Sequence, residues 1–201
     1  MVSIIDYDAG NVRSVENILR VMGQEYRITS SAEEILSADR IILPGVGAFG
    51  DAMEKLTSRG LVEVIHEAVH RNIPFLGICL GQQLLFEESE ESPGVRGLSL
   101  LPGRIVRIPE GDGRKVPQIG WNDLSFPRES RLFRGIPEGS YVYFVHSYYL
   151  EAADPADVAA RTEYGVRIDA AVEKGNLFAC QFHPEKSERT GMRILENFLD
   201  L

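Results

Sequence analysis

From Val2 to Leu85 the sequence alternates short β-branched and aliphatic runs with stripes of helical period, and this alternation restricts the fold more than any other feature. Val2 to Ile5 reads as a strand. Asn11 to Met22 carries apolar residues at Val12, Val15, Ile18, Leu19 and Met22, a helical stripe that Gly23 closes as C-cap. Glu25 to Ile28 and Arg40 to Leu43 read as strands, and residues 51 to 71 as helix with a break near Arg59 and Gly60. Ile73 to Ile78 reads as strand and Gln82 onward as helix. Strands and helices alternating at this spacing imply an α/β fold, a mostly parallel central sheet flanked by helices.

After about residue 95 the texture changes. "LSLLPGRIVRI", "VPQIGWNDLSF", "YVYFVHSYYL" and "IDAAVEKGNLFACQF" are strand-like runs divided by proline and glycine turns, with Lys174-Gly175 as a hairpin tip. This half reads as an antiparallel strand extension. A last helix is expected from Ser187, as N-cap, to Leu199. No repeat, low-complexity tract or linker interrupts the chain, so residues 1–201 read as one domain. At 201 residues and 44% hydrophobic content it can bury a full core.

Thirty acidic against 21 basic residues give a formal charge of −9, with no basic cluster longer than a pair. That balance argues against a nucleic-acid or anionic-membrane surface. There is no basic leader and no apolar run of membrane-spanning length, and the two cysteines suggest free thiols in a reducing cytoplasm.

Two motifs invite functional readings that their contexts oppose. Gly45-Val46-Gly47-Ala48-Phe49-Gly50 matches the dinucleotide pattern G-x-G-x-x-G. The next strand, however, ends in Cys79 rather than the acidic residue that would bind a ribose. A tight strand-to-helix turn is the better reading. His66-Glu67-Ala68-Val69-His70 matches the zinc-protease helix, but Leu61, Val62, Ile65, Ala68 and Val69 define its buried stripe. Both histidines fall on the opposite, solvated face, so no metal site is expected.

Gly77-Ile78-Cys79-Leu80-Gly81 is G-x-C-x-G, the nucleophile-elbow pattern with sulfur in place of a serine hydroxyl. It stands where a strand gives way to a helix, where backbone N–H groups and the helix dipole favour an anion. A buried free cysteine is the competing reading. "ACQFHPEKS" supplies the second clue: His183 and Glu185 lie two apart at the end of a strand-like run, and in an extended chain they point to one side. An imidazole base and an orienting carboxylate can then serve one nucleophile, provided the fold brings them to Cys79. Cys180, in an apolar strand without an elbow, reads as core packing.

"GICLGQQ" with "QFHPEKS" resembles the class I (triad) glutamine amidotransferases, a flavodoxin-like family. More narrowly, "YDAGNVRSVENILR", "LPGVGAFGDAM", "GLSLLPGRIV", "PQIGWN" and "YFVHSYY" resemble the glutaminase subunits of imidazole glycerol phosphate synthase. Gln82 departs from the methionine expected there. The resemblance implies a Cys79, His183 and Glu185 triad that hydrolyses glutamine to glutamate and ammonia, with no cofactor. It implies an oxyanion hole from Val46 and Leu80, and substrate contacts from Gly47, Gln83, His146, Ser147 and Tyr148. It also implies a heterodimer with a (β/α)8-barrel cyclase subunit that receives the ammonia in histidine biosynthesis. Asn11, Trp121, Asn122, Tyr143 and Lys186 match positions at that interface. The competing functions are the glutaminase of another amidotransferase (pyridoxal phosphate or anthranilate synthesis), a non-catalytic regulatory protein on the same elbow fold, and a metal-dependent hydrolase.

Overall fold

The computed structural model describes residues 1–8, 11–111 and 113–201; Ala9 and Gly10 of the "YDAGN" segment lie outside the described residues. The first half is β1 (Val2–Ile5), α1 (Val12–Val21), β2 (Tyr26–Thr29), α2 (Ala32–Leu36), β3 (Arg40–Gly45), α3 (Phe49–Ser58), α4 (Leu61–His70), β4 (Phe75–Cys79) and α5 (Leu80–Leu84). The second half is β5 (Glu88–Ser89), β6 (Gly103–Arg107), β7 (Gln118–Asp123), β8 (Tyr141–His146), β9 (Tyr148–Ala152), β10 (Val158–Glu163), β11 (Arg167–Lys174), β12 (Leu177–Cys180) and α6 (Glu188–Leu199).

A seven-stranded sheet runs β10-β11-β12-β4-β3-β1-β2. The five strands from β12 to β2 are parallel, and β11 and β10 extend them antiparallel. The α/β expectation and the antiparallel extension are both met. β5, β6 and β9 form a second sheet, and β7 pairs with β8 in a two-stranded ribbon.

Each face of the main sheet carries its own core. Ile5, Leu43 and Phe75 pack with Phe49, Leu56 and Ile65 of α3 and α4 on one face. Ile4, Ile42, Leu76 and Phe178 pack with Leu19 of α1 and Ile194 and Phe198 of α6 on the other. Each such fully buried side chain contributes on the order of 1.5–3 kcal/mol relative to exposure. Strands buried on both faces read as continuous apolar runs, which is why β1, β3 and β4 are visible in the sequence.

Several boundaries follow local chemistry. α1 ends in a Schellman motif: Gly23, at φ 67, donates to the Arg20 carbonyl, and Gln24 donates to that of Leu19. Gly23 therefore sits one position past the cap residue Met22. Gly175, at φ 56, makes the expected hairpin tip between β11 and β12.

Two expectations need correction. The run "YVYFVHSYYL" is two strands in two different sheets, divided at Ser147, whose carbonyl accepts from Ile108 N–H. Ser187 does precede α6, but its side chain makes no capping bond. Its hydroxyl donates to the His183 carbonyl at 2.6 Å and accepts from Tyr143 N–H at 2.9 Å. Ser187 thus ties β8 to the segment that carries His183.

Candidate active site

The order β12-β4-β3 decides which residues can meet. Cys79 ends β4 in the middle, the segment after β12 lies on one side, and the loop after β3 lies on the other. In a parallel sheet the carboxyl ends of the strands are where ligands bind. Gly45 is level with Cys79 on β3, and Cys180 on β12 is level with Ile78, so Gln181 comes level with the nucleophile candidate.

Cys79 has φ 56 and ψ −110, a conformation costly for a non-glycine residue, and leads directly into α5. The two glycines make this turn possible. A Cβ on Gly81 would overlap the Leu43 carbonyl oxygen, and one on Gly77 would stand 2.7 Å from the Gly81 oxygen. Strand and helix therefore approach backbone to backbone, and the sulfur projects into a cleft of about 290 Å³. In the thiol form the S–H faces the Val145 carbonyl at 3.9 Å.

His183 and Glu185 arrive from the far end of the chain. Pro184–Lys186 is a 3-10 turn, so the extended-chain argument for their common direction is wrong in detail. The turn nevertheless places His183 Nδ1 2.7 Å from Glu185 Oε1, with both side chains buried. The carboxylate fixes the ring with Nδ1–H toward it. Among the described residues, buried Nε2 makes no hydrogen bond that meets the usual geometry. Burial opposes charge on this imidazole, but the neighbouring Cys79 sulfur and the Glu185 carboxylate outweigh it and push the pKa up to about 9.

The remaining candidates distribute around this centre. Val46, Gly47, Leu80, Gln83, Ser147 and Tyr148 line the cleft, as does His146. Gln83 is less free than expected: its Nε2 donates both to the Tyr148 carbonyl at 3.1 Å and to Gln181 Oε1 at 2.9 Å. Gly47 takes φ +104, and a Cβ on Gly45 would overlap the Tyr7 hydroxyl, so this glycine pattern serves a turn. Asn11 donates to Glu185 Oε1 at 2.7 Å and lies 3.3 Å from His183 Nδ1, which places it against the candidate His183–Glu185 pair. Trp121 is 46% exposed and packs edge-on against Tyr143 with ring centroids 6.0 Å apart. Asn122 donates to the Glu163 carbonyl, and Lys186 is exposed. Gln82 is fully buried, and its Oε1 has no partner among the described residues. His66 and His70 are exposed on the outer face of α4.

Sequence reasoning missed three contributors. Glu91 lines the cleft and accepts from Phe49 N–H at 2.8 Å, which anchors it at the start of α3. Buried Tyr7 donates to the Pro44 carbonyl at 3.1 Å and so holds the loop that carries Val46. Gln181 points its Nε2 at the Cys79 sulfur, 3.6 Å away. Nothing in the local sequence around Tyr7, Glu91 or Gln181 marks them until the fold joins them. A larger open groove of about 760 Å³ lies away from this centre, and there Arg131 is already paired with Glu173.

The two buried histidines give opposite pH responses. His146 Nδ1 donates to the Tyr148 carbonyl at 2.8 Å, and Nε2 lies 3.0 Å from the Gln118 amide. Burial lowers its pKa to about 4, against the Tyr148 bond and with the His183 charge adding to the effect. Its contribution to stability is complete above the ordinary value of 6.5 and is lost as pH falls toward about 4. That of His183 is complete below 6.5 and is lost as pH rises through about 9. Melting temperature measured across this range is expected to peak near pH 6.5, and His183→Gln is expected to flatten the alkaline limb. An alkaline limb unchanged in that variant would refute the assignment.

Comparison with known proteins agrees with the geometry. The family model "Glutamine amidotransferase class-I" matches residues 3–201. The imidazole glycerol phosphate synthase subunit HisH of Moorella thermoacetica is 50% identical over 200 residues, covering 100% of this chain and 94% of that protein. Its counterpart in Methanothermobacter thermautotrophicus is 50% identical, over 100% of this chain and 98% of its own. Among solved structures, a glutamine amidotransferase superposes with a TM-score of 0.77 at 21% identity, over 99% of this chain and 97% of that one. A second glutamine amidotransferase, from Thermotoga maritima, superposes with a TM-score of 0.67 at 20% identity, over 99% and 82%. These last two show the fold alone. The full-length family match and the relatives at half identity establish that the chain belongs to the class-I glutamine amidotransferases, and within them to the HisH subunits of imidazole glycerol phosphate synthase.

Proposed function

We propose that this chain hydrolyses the side-chain amide of glutamine and passes the ammonia to a separate (β/α)8-barrel synthase subunit. The observation that carries the reading is Cys79, held in a strained turn at a strand end beside the buried His183–Glu185 pair.

The Cys79 thiolate attacks the amide carbonyl and a tetrahedral oxyanion forms. His183 Nε2, left without a hydrogen bond among the described residues, gives its proton to the leaving ammonia and then takes one from the water that hydrolyses the thioester. Glu185 and Asn11 hold the ring for both transfers. Leu80 N–H supplies one oxyanion donor, and Val46 N–H supplies the second once the peptide before it turns toward the cleft. Each such donor is worth roughly 10²–10³ in rate. Glu91, the carboxylate in the cleft wall, suits the α-ammonium of glutamine. Gly47 and the backbone of residues 146–148 bound the rest.

Ammonia released here has to reach its acceptor without loss to water. Val46, Ile119, Trp121 and Tyr141 are large apolar side chains left exposed, and Val46 is at the cleft itself. With Asn11, Asn122, Tyr143 and Lys186 they suit a docking surface for the barrel. The pair works in the cytoplasm on this reading, and among the described residues no helix is long and apolar enough to cross a membrane. Glutamine hydrolysis assayed with and without the barrel and its substrate tests the proposal. The expected result is a low rate alone and a large increase in the complex. Full activity in the isolated chain would remove the switch at Val46.

A further inference from the structure

Behind the nucleophile, one backbone carbonyl and two side-chain amides form a chain whose direction is fixed by its first member. The Tyr148 carbonyl is a backbone oxygen and can only accept. The Gln83 atom 3.1 Å from it is therefore the amide nitrogen. The second hydrogen of that nitrogen goes to the Gln181 atom 2.9 Å away, which must be the carbonyl oxygen Oε1. This turns the other end of the Gln181 amide, its N–H donor, toward the Cys79 sulfur at 3.6 Å, a normal distance for a bond to sulfur. Gln181 is fully buried and Gln83 nearly so, so the direction of both amides is set by these protein contacts. The family resemblance gives neither residue this part: it assigns Gln83 to the substrate and leaves Gln181 without a role.

We propose that Gln181 is a positioning residue for the nucleophile, donating an N–H···S hydrogen bond that aims the Cys79 sulfur and favours its anionic form, with Gln83 holding the amide in that orientation. The proposal rests on Cys79 being the nucleophile and adds a role for the residue two before His183. It also links the cleft wall to the sulfur, since the same Gln83 amide binds the backbone of Tyr148, a cleft residue. The other titratable groups around the sulfur are Tyr7 beside β3, Cys180 on β12, His183 and Glu185 after β12, and His146 and Glu91 in the cleft. All six remain in the variants below.

The test uses the free chain and iodoacetamide, with alkylation of Cys79 followed by mass spectrometry from pH 5 to pH 10 in wild type, Gln181→Leu and Gln181→Glu. Leucine removes the donor. Glutamate keeps an acceptor for Gln83 but offers an oxygen to the sulfur. The alkylation midpoint is expected to move alkaline by about one pH unit in Gln181→Leu and by more in Gln181→Glu. In the complex, kcat for glutamine hydrolysis is expected to fall about tenfold in Gln181→Leu, with KM within about twofold. A midpoint equal to wild type in whichever variant folds would overturn the proposal. So would wild-type behaviour in Gln181→Glu, because support of Gln83 alone would then explain the residue. Failure of the underlying reading looks different: Cys79→Ala would retain glutamine hydrolysis, and the inference would fall with it.

Discussion

Cys79→Ala, assembled with the proposed barrel partner, is expected to lose glutamine-dependent imidazole glycerol phosphate formation by about 10⁴-fold or more. The same complex fed with ammonium salt at alkaline pH is expected to make product at the wild-type rate. The asymmetry follows from what the sulfur does. No other nucleophile among the described residues has an elbow: Cys180 is fully buried in β12, where burial first, then the charges of Glu185 and Cys79, push its pKa well up. Loss of the thiol therefore removes the thioester route and leaves the barrel untouched. The two assays on one preparation separate nitrogen release from nitrogen use. Loss of both activities would show that the substitution damages assembly instead.

Gly81→Ala is expected to be strongly destabilising. The added Cβ would overlap the Leu43 carbonyl oxygen, a backbone atom in the middle of the parallel sheet that cannot rotate aside. Relief requires α5 to back away from β3, and Cys79, which leads into α5, moves with it. Overpacking typically costs about 1–3 kcal/mol, and a backbone collision belongs at or above the top of that range. Chemical denaturation measures it directly. A free-energy loss no larger than that of Gly175→Ala, where only the left-handed φ of 56 and no collision opposes a Cβ, would contradict the packing argument.

The candidate catalytic centre was legible because its proposed chemistry is local. "GICLG" encodes both the proposed nucleophile and the glycines that let a strand turn into a helix within one residue, and "HPE" encodes the proposed base and its carboxylate in one turn. The conformation of that second turn was not legible: proline at 184 suits a 3-10 turn as well as an extended chain, and either brings Nδ1 to the carboxylate. The parallel core was visible because strands buried on both faces are apolar throughout. The run from 141 to 150 was misleading for the opposite reason. Its strand-like composition continues through Ser147, and only pairing decides that β8 joins β7 while β9 joins β6. Tyr7, Glu91 and Gln181 were hidden for a related cause. Each owes its role to a partner more than thirty residues away, and nothing local distinguishes a tyrosine bonded to Pro44 from one that merely fills the core.

The central claim is that the Cys79 sulfur attacks the side-chain carbonyl of glutamine with His183 beside it. Treatment of the assembled complex with a chloroketone analogue of glutamine, followed by peptide mass spectrometry, tests it most directly. The account predicts one adduct, on Cys79, suppressed by excess glutamine and slowed strongly in His183→Gln, with Cys180 unmodified. Labelling of Cys180 in place of Cys79, or labelling of Cys79 that glutamine does not suppress, would contradict it.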